Sequence, residues 1–292
     1  MDLRWIASRS ASCHHALEML AADRAAPDSD LAGALRSIAE QVDRQCHKFA
    51  IPAERLYQHL VPLSAGIESR VELATIVLRK VVDPAAVAGW AGQFATLLTE
   101  AKAAYTALRP KLLDELQMRA GPLREQWEAR GPGLLRGIAR RTSDELIVER
   151  ADVLLVEPVA GGAGAAHLLY NAVRIEAVLV NPHASLPEVV RLAWMLGQLN
   201  CDLPAFSESF PPGKARRLAG LAMLPPTLAA AADVELVGND SPELLAAAIE
   251  HWRLGDATLA EPLASWWTTY TASRPAWHVA LAALDQMVPE PE

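Results

Sequence analysis

The segment Leu186-Pro187-Glu188-Val189-Val190-Arg191-Leu192-Ala193-Trp194-Met195-Leu196 constrains this chain more than any other. From Leu192 to Leu196 it has no polar break, so a helix built from it has no face to give to water. Such a helix must be covered on more than one side and becomes the centre of the fold. Glu188 and Arg191 at its start stand three apart, which allows them to pair with each other, while Glu176 upstream offers Arg191 a second partner.

Upstream, the β-branched and aliphatic run Val153-Leu154-Leu155-Val156 reads as a strand. Val173-Arg174-Ile175-Glu176-Ala177 alternates with period two, the mark of a half-buried strand. Gly161-Gly162-Ala163-Gly164 between them predicts a hairpin turn using positive φ. A third strand is expected at Val234-Glu235-Leu236-Val237, before a helix capped by Ser241 with Pro242 at its first position.

Elsewhere the chain reads as helix. Residues 3–118 are rich in Ala, Leu, Glu, Arg and Gln, Asp28 or Asp30 can cap a helix, and Pro27, Pro52, Pro62 and Pro84 mark breaks or first turns. Gly121-Pro122 and Gly131-Pro132-Gly133 read as further breaks. The expectation is a predominantly helical α+β protein, with a small antiparallel sheet of about three short strands packed on the central apolar helix. N- and C-terminal helices wrap it. The regions are 1–119 (helical), 120–200 (helix, strands and central helix) and 201–292 (helical with one strand), in one continuous body.

Composition narrows the function classes. With 51% hydrophobic and 21% charged residues the chain folds throughout, and a net charge of −8 supplies no field to attract nucleic acid. Arg136, Arg140 and Arg141 lie beside Asp144 and Glu145 and read as a solvated helix face. No apolar run reaches the ~20 residues of a membrane span, and the first residues lack the pattern of a secretory signal. Cys13, Cys46 and Cys201 are too few and scattered for a disulfide framework. A cytoplasmic protein with reduced thiols, binding neither nucleic acid nor membrane, is expected.

The motifs that carry chemistry are incomplete. Gly162-Ala163-Gly164 begins a dinucleotide fingerprint whose third glycine is His167, and a strand-like stretch follows where a helix is needed. Gly161, Gly162 and Gly164 are therefore weak cofactor-binding candidates. Cys13-His14-His15 and Cys46-His47 are adjacent on helices, where side chains diverge by about 100°, so they read as packed or solvated residues and no metal is expected. Ser185 with Glu188 forms an S-x-x-E capping box. Trp266 and Trp267 cannot both face inward on one helix, which suggests a partner surface. His167, Arg174, Glu176, Glu188 and Arg191 remain as polar candidates around the glycine turn.

The order of strand, glycine turn, edge-like strand and buried helix over residues 134–199 resembles the core of zincin-type metallopeptidases, whose helix carries HExxH. Laid on that motif, Pro187 and Arg191 stand at the two histidine positions and Glu188 at the glutamate. Neither proline nor arginine offers zinc a lone pair, so the resemblance implies a core without its metal ligands. It implies a non-catalytic role in protein association, with no cofactor. The alternatives are an enzyme using the polar groups near the glycine turn, and a nucleotide-binding protein.

Overall fold

The computed structural model describes residues 1–26, 28–239 and 241–289. Strand β1 (Asp2–Ala7) is followed by helices α1 (Arg9–Ala21), α2 (Ser29–Lys48), α3 (Ala53–Ser64), α4 (Arg70–Val81) and α5 (Pro84–Leu108). The long helix α6 (Leu112–Arg141) leads into strands β2 (Arg150–Val156), β3 (Gly164–His167) and β4 (Ala172–Glu176), and then into α7 (Glu188–Gly197). Shorter helices complete the described chain: α8 (Pro204–Ser207), α9 (Pro212–Ala222), α10 (Leu224–Asp233), α11 (Pro242–His251), α12 (Ala260–Ser273) and α13 (Trp277–Met287).

Helix starts follow the expected capping chemistry in several places. Asp28 Oδ1 accepts from the Leu31 N–H at 2.8 Å, Asp83 Oδ1 from Ala85 at 2.8 Å, and Ser241 Oγ from Leu244 at 3.3 Å, with Pro84 and Pro242 at first positions. The expected breaks at Pro122 and Pro132 do not occur, because α6 runs through both. Each proline costs a helix about 3 kcal/mol. The buried stripe of Leu116, Leu123, Trp127, Leu134, Leu135 and Ile138 outweighs that, at about 2 kcal/mol per large apolar side chain. Residues 119 and 120, the expected boundary, lie inside this helix. Pro62 likewise sits within the last turn of α3.

The sheet is mixed and four-stranded, in the order β1-β2-β4-β3, where three antiparallel strands were expected. β1 pairs parallel with β2, placing Arg4 beside Asp152. β2 pairs parallel with β4, and only β3 runs antiparallel, along β4. Residues 157–163 therefore form no hairpin between β2 and a neighbour; they carry the chain past β4 to the far edge. The hairpin is β3–β4, turned at Asn171 with φ of 44°. Residues 3–7, expected to be helical, belong to β1. Val234-Glu235-Leu236-Val237 is not a strand: Glu235 turns at φ of 59°, and the N–H groups of Leu236 and Glu235 bond back to Ala231 and Ala232, ending α10 in a Schellman turn.

Two apolar cores flank the sheet. Val153, Leu155, Val173 and Ile175 pack into one with α6, α7 and the C-terminal helices, and α1 to α5 enclose the other. Every residue of α7 is buried, as its composition requires. Among the described residues no helix is long and apolar enough to cross a membrane.

Candidate functional site

The sheet face toward α1 and α3 is polar where it meets β4 and β3. The alternation in β4 predicts that Arg174 and Glu176 face water; instead all five residues of β4 are buried, because α1 covers the polar side. Burial without partners would cost each charge several kcal/mol, and α1 supplies them. Arg174 Nη1 donates to Glu18, and His15 Nε2 lies 2.7 Å from Glu176 Oε1. Next to them His167 Nδ1 bonds the Gln58 carbonyl at 3.1 Å, while burial and then Arg174 push its pKa well below the usual value. It is a buried strand residue with no access to a substrate.

Glu176 explains the glycine loop. The backbone N–H of Ala160 donates to Oε1 at 2.7 Å, and those of Gly162 and Ala163 donate to Oε2 at 2.6 and 3.0 Å. Backbone N–H groups of one tight loop, curled toward one point in this way, form an anion-binding nest. Here the anion is the chain's own carboxylate. Gly161 and Gly162 make the curl possible with φ of 74° and 117°, and a Cβ on Gly162 would come within 2.3 Å of the Pro182 ring. Burial raises the Glu176 pKa, but His15 and the loop N–H groups outweigh it and hold the carboxyl below its ordinary value. His15, lowered by burial and then by Arg174, is a neutral donor. Gly164 serves packing: a Cβ there would lie 2.8 Å from Met195 Sδ and 3.0 Å from the Arg174 carbonyl, so glycine lets β3 approach α7.

Glu188 and Arg191 lie at the start of α7. The capping box is not formed: Pro187 is the N-cap, without a side-chain bond, and the Glu188 N–H donates to Asn181 Oδ1 at 3.0 Å. Arg191 Nη1 donates to the Gly162 carbonyl, and Nη2 lies 3.4 Å from Glu188 Oε1. The guanidinium carbon sits 5.7 Å above the Trp252 ring, so Arg191 pairs with Glu188 and the glycine loop and leaves Glu176 to the nest. Neither Glu188 oxygen has a hydrogen-bond donor. Burial raises the Glu188 pKa to about 7, with Arg191 opposing and Glu176 adding to the rise. The ring of His183, which precedes α7, packs against that of His251 at the end of α11 at a tilt of 50°, their centroids 4.2 Å apart.

Glu176 and Arg191 bond the glycine loop and Glu188 joins through Arg191, whereas Arg174 and His167 lie further along the sheet, bonded to α1 and α3. Arg174, Glu176 and His167 face α1 and α3, and Glu188 and Arg191 face the loop and α11. Sequence reasoning missed Glu18, Asn181 and His251, and read His15 only as a packed or solvated residue, because their roles depend on distant elements. Among the described residues, no three His, Cys, Asp or Glu side chains are placed to share a metal ion. Cys13, His14 and His15 are packed in the core, Cys46 is buried and His47 faces water. Trp266 is buried and Trp267 half-buried against the same core, so neither is fully exposed. No protein family matches the chain, and neither a curated protein nor a solved structure matches it.

Proposed function

We propose that this chain is a non-catalytic protein that works by association, built on a zincin-like core in which a fixed guanidinium stands where a metal ligand would be. The observation that carries the reading is Arg191. It occupies the second histidine position, is only 4% exposed, and is held by Gly162, Glu188 and Trp252. The edge strand is β3 and not the segment 173–177, which lies inside the sheet as β4; the succession of antiparallel edge strand β3, interior strand β4 and buried helix α7 supports the likeness to zincins. Glu188, raised to about 7, has the pKa of a general base, but at 4% exposure it meets no substrate. The nest, the natural place for a phosphate, is filled by Glu176, which weighs against a nucleotide. Association is supported by Leu179 and Val180, 53% and 79% exposed on the loop before α7.

The test is calorimetric zinc titration of the dialysed protein beside the folded double variant Pro187→His, Arg191→His, with peptide hydrolysis assayed in both. The parent should hold no zinc and cleave nothing, and the variant should gain one site of modest affinity, since two imidazoles one turn apart can share an ion. Zinc uptake equal in both would overturn the zincin-like arrangement. Hydrolysis by the parent would overturn the non-catalytic reading.

A further inference from the structure

Strand β1 ends the sheet, with β2 as its one neighbour. The Asp2 N–H donates to the Glu149 carbonyl at 2.7 Å, which sets the alternation of the parallel ladder. Asp2, Arg4 and Ile6 turn their backbone groups toward β2, and Leu3 and Trp5 turn theirs outward. Among the described residues no turn, loop or side chain takes up the outward N–H or C=O of Leu3 or Trp5. The strand is not buried on its polar side. Asp2 and Arg4 are exposed, and beside them lies an open groove of about 620 Å³ lined by Arg4, Ile6, Asp152, Leu154 and Tyr170. Arg4 gives Nε and Nη2 to Asp152 at 2.8 and 2.6 Å, which leaves Nη1 for another acceptor.

We propose that β1 is the docking edge for a second copy of this chain, the two β1 strands pairing antiparallel about a twofold axis to continue the sheet across both molecules. An unpaired strand edge is a template for another strand, and the sequence of this one is complementary to itself. Because the outward groups belong to odd positions, odd residues must face odd residues. With Leu3 opposite Leu3 of the second copy, Asp2 falls opposite Arg4, and symmetry repeats the pair. The next register places Arg4 opposite Arg4, which is destabilising. Charge therefore selects the first register, in which the two Leu3 residues exchange N–H···O=C bonds and Arg4 Nη1 meets Asp2. Leu3 and Trp5, half-buried on the opposite face, extend the apolar contact. The inference goes beyond the association reading by naming one partner and one surface.

The test is analytical ultracentrifugation of the full chain over a wide concentration range, for the parent, Leu3→Pro and Asp2→Lys, with circular dichroism to verify folding. The parent should show a monomer–dimer equilibrium that weakens with salt. Leu3→Pro removes an outward N–H at a position where an edge strand tolerates proline, and should be monomeric. Asp2→Lys turns two opposite-charge pairs into like-charge pairs and should raise the dimer Kd about tenfold; as a surface change it keeps the test open should Leu3→Pro fail to fold. A parent that stays monomeric throughout, or dimerisation untouched by Asp2→Lys, would overturn the proposal. Either result leaves the zinc comparison of the two histidine positions standing, so the two readings fail separately.

Discussion

Glu176 and Glu188 lie at the two ends of one loop, and both are almost sealed from solvent, at 1% and 4% exposure. They differ in what meets their oxygens. Glu176 receives three backbone N–H groups and the His15 ring, and its pKa is lowered; Glu188 receives no hydrogen bond, has a single guanidinium at 3.4 Å, and its pKa rises to about 7. Burial acts on both in the same direction, so the donors decide the sign. A carboxylate surrounded by donors is part of the architecture. One without them stores unfavourable desolvation that its neighbour Arg191 only partly offsets.

The largest expected effect belongs to Glu176. Glu176→Gln leaves the nest N–H groups without their anion and should cost about 3 kcal/mol of unfolding free energy, as losing one member of a buried charged network does. Glu188→Gln has no such donors to orphan and should shift stability by less than about 1 kcal/mol at neutral pH. The pH dependence sharpens the contrast. Because the folded pKa of Glu188 lies above its ordinary 4.5, its protonation contributes stability that is full below that value and is lost as pH rises through about 7. Glu176 has the opposite sign, and its contribution is lost as pH falls through its lowered pKa. Denaturant unfolding of the parent and both variants across pH measures these differences. A Glu176→Gln cost no larger than that of Glu188→Gln would break the comparison.

The smallest effect, that of Ser185, is read against a second position in the loop between them. Asn181→Ala removes the acceptor for the Glu188 N–H and should cost about 1 kcal/mol. Ser185→Ala removes no cap and should stay within about 0.5 kcal/mol. Reversed magnitudes in the same unfolding assay would mean that α7 starts as its S-x-x-E pattern suggests.

How much of this was legible depended on whether the deciding partner was local. Helix α7 carries its own burial signal, and Ser241-Pro242 carries its own start, so both read correctly. β3 consists of Gly164, Ala165, Ala166 and His167, with no β-branched residue, and is a strand only because β4 lies beside it. β1 alternates over Asp2-Leu3-Arg4-Trp5-Ile6, but its partner β2 begins at Arg150. The alternation in β4 correctly separated Arg174 and Glu176 from Val173 and Ile175. It could not reveal that α1 would cover the polar side, since His15 and Glu176 are 161 positions apart. Proline and glycine in α6 misled for the converse reason: local breakers were outweighed by tertiary packing.

Carbon-detected NMR titration of the glutamate side-chain carboxyls in the intact protein tests the central claim most directly. Glu188 should titrate with a midpoint about 7, and Glu176 should stay ionised to below the usual carboxylate range. Two carboxyls titrating together at ordinary values would contradict the account, because the nest would then give the Glu176 anion no extra stabilisation and burial would impose no penalty on the Glu188 anion at the start of α7.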